Sequence, residues 1–199
     1  MADYNPTKAG KLLSLGVAMA VLITALVFVT TQQRRHISQQ RIIAQQITSL
    51  LPSSLYNNDP AAQSVELNLV TTNNLTINKA YPYKDGDKTL GAVLHVTTPH
   101  GYSGDIELLV ALSNSGTLQG VAIAAHKETP GLGDKIEPNR SDWLSQLKSL
   151  QYSRETKLAI KKDGGDFDHI TGATITPRAV VNAVSDTLNW YATNKGLFE

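Results

Sequence analysis

Apolar and polar positions alternate along this chain in three distinct rhythms. From Leu12 to Val29 the run is apolar, with no charge and no proline. At about 1.5 Å per helical residue it reaches roughly 27 Å, close to a bilayer core of about 30 Å. His36 to Leu51, rich in Gln, Ile and Leu, predicts a helix leaving that run and stopped by Pro52. Ser53–Ala62, with its Pro, Asn and Ser clusters, reads as a linker or loop. A period of two then takes over: Val65–Thr71, Thr76–Tyr81, Thr89–Thr97, Ile106–Leu112 and Leu118–Ala125 read as strands. Asp85-Gly86-Asp87 and Ser113-Asn114-Ser115-Gly116 supply turns, the second making a hairpin.

The last third returns to a helical period. Ser141–Leu150 predicts a helix on a Ser cap, with Trp143, Leu144 and Leu147 on one face. Pro177–Asn194 sets Val180, Val181, Val184, Leu188 and Tyr191 at helical spacing, with Thr176 as the expected N-cap and Pro177 at the first position. The fold class expected is α+β, an N-terminal transmembrane helix followed by one domain with a mostly antiparallel sheet and packed helices. The expected division is a tail and anchor over residues 1–35, a juxtamembrane helix and linker over 36–62, and the domain over 63–199.

Composition narrows the class. The chain has 199 residues, a formal charge of +1 and no cysteine. No Lys/Arg face is clustered, which argues against a nucleic-acid partner. Without cysteine there are no disulfides, thiolate metal sites or Fe–S ligands. A secretory signal peptide is the alternative for the apolar run. That run is long for the role, and Ala18-Met19-Ala20 would cut in its middle and leave Val21–Val29 exposed. An uncleaved anchor in membrane lipid fits better. Lys8 and Lys11 precede the span while Arg34, Arg35 and Arg41 follow it, so the positive charges do not decide its orientation.

Three loops stand apart from this scaffold. Gly101-Tyr102-Ser103-Gly104 frees backbone to approach a ligand, with Tyr102 beside it; taken alone, it reads rather as a plain strand-entry turn with a surface tyrosine. His126-Lys127-Glu128-Thr129-Pro130-Gly131-Leu132-Gly133 joins a rigid turn to dense polar groups. His126 and Glu128 have no further metal ligand nearby, so no metal is expected. Asp168-His169-Ile170-Thr171-Gly172-Ala173-Thr174 sets a hydroxyl before a helix start, where unpaired N–H groups and the dipole favour an anion. A simple capping turn has the same residues. No base stands beside Thr174, so no nucleophile of the hydrolase kind and no catalytic residue is assigned.

In this order the three motifs resemble the FMN-binding domain family. The short, anchored form is similar to the G subunits of the Rnf ion-translocating electron-transport complex. The C subunit of the sodium-translocating NADH:quinone reductase shares motifs and anchor, but the shorter chain favours the Rnf type. A non-redox anchored binding module with remnant motifs is the rival of another class.

The resemblance implies FMN held by a phosphodiester to the Thr174 hydroxyl, made from FAD and Mg²⁺ by a separate flavin transferase. It implies that Asp168, Thr171, Gly172 and Ala173 form the recognition turn. Glu128, Thr129, Leu132 and Gly133 would lie along the isoalloxazine ring, Tyr102 would flank it, and Lys161 or Lys162 would stand near. The expected role is that of an electron-transfer subunit of a multi-subunit translocase rather than an independent catalyst. Its partners would be the other subunits of the complex. It would cross the inner membrane once, with its domain facing the periplasm.

Overall fold

The computed structural model describes residues 6–147 and 157–198. The chain divides into two compact units, Met1–Ile42 and Ile43–Glu199. Helix α1 runs over Pro6–Leu50. Within the first unit, Ser14–Thr31 has a mean hydropathy of 2.2 and is long and apolar enough to cross a membrane. Three of its hydroxyls bond within the helix, Ser14 donating to the Lys11 carbonyl at 2.9 Å, Thr24 to the Ala20 carbonyl at 2.8 Å and Thr30 to the Leu26 carbonyl at 2.9 Å. Such local pairing is what a segment without water around it requires.

The second unit is built on one antiparallel sheet in the order β1-β2-β3-β4-β5. The strands are β1 (Val65–Val70), β2 (Thr76–Asp85), β3 (Lys88–Thr98), β4 (Ile106–Ser113) and β5 (Leu118–Ala125). All five fall where the alternating pattern puts them, and the Ser113–Gly116 turn closes the β4–β5 hairpin through the Gly116 N–H to the Ser113 carbonyl at 2.8 Å. Pro82 sits inside β2, opposite Ala92 of β3. It is tolerated because the pairing of β2 with β1 ends at Ala80, so no ladder needs its missing N–H.

Both faces of the sheet are covered. One face carries Ile77, Leu94, Val96, Leu108 and Val110, packed under helix α2 (Ile175–Asn194) through Val180, Val181, Val184 and Leu188. The other carries Tyr81, Tyr83, Val93, Leu109 and Ala111, packed with Ile47 and Leu51 at the end of α1. The Gln46 amide reinforces that contact by donating to the Ile123 carbonyl of β5 at 2.9 Å. The Pro/Asn/Ser-rich stretch after α1 is docked onto the same strands. Asn58 accepts the Lys84 N–H at 2.8 Å and donates to the Pro82 carbonyl at 3.0 Å, and the Asn57 N–H reaches the Lys84 carbonyl at 2.9 Å. It thus serves the edge of β2 that β1 does not reach.

Two expectations about helices change. The segment expected as a helix from Ser141 forms a 3-10 helix over Trp143–Leu147, and its expected end at Leu150 lies outside the described residues. Ser141 does serve its start, accepting the Trp143 N–H at 3.2 Å. Helix α2 begins two residues earlier than Pro177 and places Thr174, not Thr176, at the N-cap. Pro177 still falls in the first turn, where its missing N–H costs no intrahelical bond.

Candidate functional site

The three loops singled out in the sequence meet at the start of α2. Between them lies a cleft of about 360 Å³, within the size range of small-ligand sites. Tyr102 comes from the loop before β4, and Glu128, Thr129, Leu132 and Gly133 from the loop after β5. Gly172, Ala173 and Thr174 come from the turn before α2, and Ile175 and Thr176 from its first residues.

The turn is shaped by its backbone. Gly172 has φ +83°, a left-handed conformation that side chains with a Cβ resist, and the Ala173 N–H closes onto the Ile170 carbonyl at 3.0 Å. Thr174 is then helical at φ −69° and ψ −30°. Its side chain makes no capping hydrogen bond, and among the described residues its hydroxyl has no partner. Thr174 is therefore an N-cap in position only, a residue of the cleft wall at the helix end where the first N–H groups lack intrahelical partners.

Glu128 organises the rest. Its side chain is buried, at 5% exposure. One carboxylate oxygen accepts the Ser103 N–H at 2.9 Å, and the other accepts the Thr176 hydroxyl. A buried carboxylate needs such donors, since desolvating it unpaired is costly. One side chain thus ties the first two motifs to the opening turn of α2, directly after the third. Two glycines make room for it. A Cβ on Gly133 would fall 2.7 Å from the Glu128 Oε2 and 2.9 Å from the Thr176 hydroxyl oxygen, and one on Gly101 would fall 2.9 Å from Oε1. Gly101, expected to free backbone for a ligand, instead lets its loop close on this carboxylate.

His126 braces the second loop from behind. Its Nδ1 accepts the Glu128 N–H at 3.0 Å, which leaves the proton on Nε2 to be donated to Glu137 at 2.8 Å. Asp168 and Thr171 do not line the cleft. Asp168 positions the turn through its backbone: its carbonyl accepts the Trp143 indole N–H at 2.6 Å, and its N–H reaches the Gln146 side chain at 2.9 Å. Its carboxylate pairs with Lys161 at 2.6 Å, both side chains largely in solvent. Neither Lys161 nor Lys162 is part of the cleft wall.

Arg178, in the first turns of α2, holds Asp163 through two bonds of 2.5 and 2.8 Å. This hydrogen bonding, with the guanidinium charge added, keeps the Asp163 carboxyl below its ordinary range. Thr176 is the site residue that sequence reasoning misplaced. The cue available was its spacing of two from Thr174, which the strong N-cap preference of Thr overrode.

Residues 101–189, a window that contains every residue of the cleft wall, match the FMN-binding domain family. A relative from Pseudoalteromonas atlantica, the G subunit of an ion-translocating oxidoreductase complex, is 39% identical over 194 residues, covering 94% of this chain and 89% of its own.

The chain belongs to the family of ion-translocating oxidoreductase complex G subunits.

The likeness extends to members of the same name from Shewanella oneidensis, 39% identical over 196 residues (95% of this chain, 91% of the relative), and from Escherichia coli strain K12, 47% identical over 148 residues (73% and 70%). Two of these matches take in nearly the whole chain, so the family likeness is not confined to the FMN-binding domain.

Proposed function

We propose that this chain is a membrane-anchored flavoprotein subunit of an Rnf-type complex, carrying electrons through FMN esterified to Thr174 between redox subunits of an ion-translocating assembly. The observation that carries the reading is the Thr174 hydroxyl. It belongs to the residue at the helix N-cap, has no partner among the described residues, and that residue lines the cleft at the positive end of α2. A phosphodiester keeps one negative charge, and the free N–H groups of the helix start offset it.

The residues present suit a flavin. Leu132 and Tyr102, 43% and 70% exposed, offer an apolar and an aromatic surface at the cleft mouth. Thr129 and the main chain around Gly133 offer polar groups along the same wall. When bound, FMN supplies the one- and two-electron chemistry, while the chain supplies position and field. Asp168, Thr171, Gly172 and Ala173 form the turn that a flavin transferase reads. In the attachment step the Thr174 oxygen bonds the FMN-side phosphorus of FAD, the pyrophosphate bond breaks, AMP leaves and the hydroxyl proton is released. Mg²⁺ in the transferase assists that displacement.

The apolar helix anchors the chain by a single crossing of the inner membrane, with the domain in the periplasm, where covalent attachment prevents loss of the cofactor. The chain acts as a carrier and not as an independent catalyst.

Intact mass decides the central point. Chain matured with active transferase and FAD gains one FMN less one water, and Thr174→Val abolishes the gain while keeping the far-UV spectrum. No adduct on the wild-type chain, with the transferase shown active on another substrate, overturns the reading. Protease added to right-side-out vesicles or spheroplasts tests the orientation: cleavage of the domain is expected, and full protection contradicts it.

A further inference from the structure

The Glu128–Thr176 pair binds α2 to both other loops of the cleft, in addition to the packing that seats α2 on the sheet. The sheet and α2 are already joined by a large apolar interface, whereas this contact lies at the cleft wall. Thr176 is two residues from Thr174, on the same opening turn of α2. Holding Thr176 therefore holds the backbone of the turn that carries the Thr174 attachment point. On the other side, Glu128 heads the segment that carries Leu132 and Gly133, and through the Ser103 N–H it holds the loop bearing Tyr102. Both carboxylate oxygens already receive protein donors, and two glycines are packed around them. The geometry is that of a clamp rather than of a side chain extended toward a ligand.

We propose, resting on the assignment of Thr174 as the flavin tether, that Glu128 and Thr176 are positioning residues: they set the pose of the attached isoalloxazine against the Tyr102 and Leu132 walls. A tether at one atom leaves several rotatable bonds between protein and ring. A single pose then depends on how firmly the walls are held relative to the tether. Glu128 acts through Thr176 and Ser103, and the flavin's environment is tuned through that linkage.

The test uses full-length chain in detergent, flavinylated by the transferase. Thr176→Val removes the hydroxyl at nearly constant volume, and Thr176→Ser returns it. Gly133→Ala drives a methyl between Glu128 and Thr176 from the other side. The readouts are the flavin's visible circular dichroism and its fluorescence, measured per mole of adduct, beside the far-UV spectrum. For Thr176→Val and Gly133→Ala we expect a severalfold loss of visible dichroism and a severalfold rise in fluorescence, with Thr176→Ser close to wild type.

The proposal is overturned if either disrupting variant, folded and carrying adduct, shows wild-type dichroism and fluorescence, or if Thr176→Ser fails to restore them. Should Thr176→Val not fold, Gly133→Ala alone decides the question on the same readouts. Failure of the tether assignment reads differently: the wild-type chain then carries no adduct, or Thr174→Val still carries one.

Discussion

The indole N–H of Trp143 donates to the main-chain carbonyl of Asp168 at 2.6 Å. The bond links the 3-10 helix after β5 to the first residue of the turn that ends in Thr174. Trp143 is 7% exposed, so its ring is held by the core while its N–H reaches outward to the turn. Trp143→Phe keeps much of the buried ring and deletes the donor. The expected loss is about 1 kcal/mol, a neutral hydrogen bond whose acceptor regains water. Thermal unfolding checks this, and a slower rate of flavin attachment checks the link to the turn.

Gly91 is demanded by sterics. A Cβ there would run into the Leu112 carbonyl oxygen and the Tyr83 hydroxyl, which are themselves hydrogen-bonded at 3.0 Å. Gly91→Ala should destabilise by about 3 kcal/mol, at the high end for overpacking, because the nearest atom is backbone and cannot turn aside. Adding Tyr83→Phe should not rescue it. Denaturant midpoints of the single and double variants decide the point.

The end of α1 belongs to the folded unit. A chain beginning at residue 40 keeps Ile47 and Leu51, buried at 2% and 1%, and should give a soluble, cooperatively folding domain. One beginning at residue 53 leaves Tyr81, Tyr83, Val93 and Leu109 without that cover. The loss of two buried aliphatic side chains alone is worth about 3–6 kcal/mol. Size-exclusion chromatography should show the shorter chain aggregating.

Stability should fall at both ends of the pH scale. Tyr81 is pushed up to about 12 by burial, with the Glu66 charge adding, and burial pushes Tyr83 up further, with Tyr191 contributing. An unfolded tyrosine ionises near pH 10, below both folded values, so their contribution is whole below about pH 10 and is lost as pH rises through the folded values. At the acid end, the hydrogen bond from His95 holds the Glu107 carboxyl below its ordinary value of 4.5 against the opposing effect of burial. That contribution is present above the unfolded value and is lost as pH falls through the folded one. Denaturant unfolding across pH should show both limbs, and His95→Val should flatten the acid one.

The strands were readable because period-two alternation and turn residues act between neighbours in the chain. Each of the five appears where Val65, Thr76, Thr89, Ile106 and Leu118 suggest, to within a residue at its start. β2, whose end was read at Tyr81, continues to Asp85 because Pro82 needs no partner there and Tyr83 packs inward. The motifs were readable as recurring spacings, and most of their residues do share one cleft. Asp168 and Thr171 stand off it; the backbone of Asp168 is held instead by Trp143 and Gln146, neither of which any local pattern marks as part of the motif.

From residue order alone came the apolar span, the strands, and the presence of a hydroxyl before a helix, since each depends on interactions a few residues long. Tertiary structure decided which hydroxyl is committed and which has no partner among the described residues. Thr176 is taken by Glu128, 48 residues away, while Thr174 lines the cleft without a capping bond. That choice rests on closing a long loop around a buried charge, whose partners exist only once the sheet and α2 have packed.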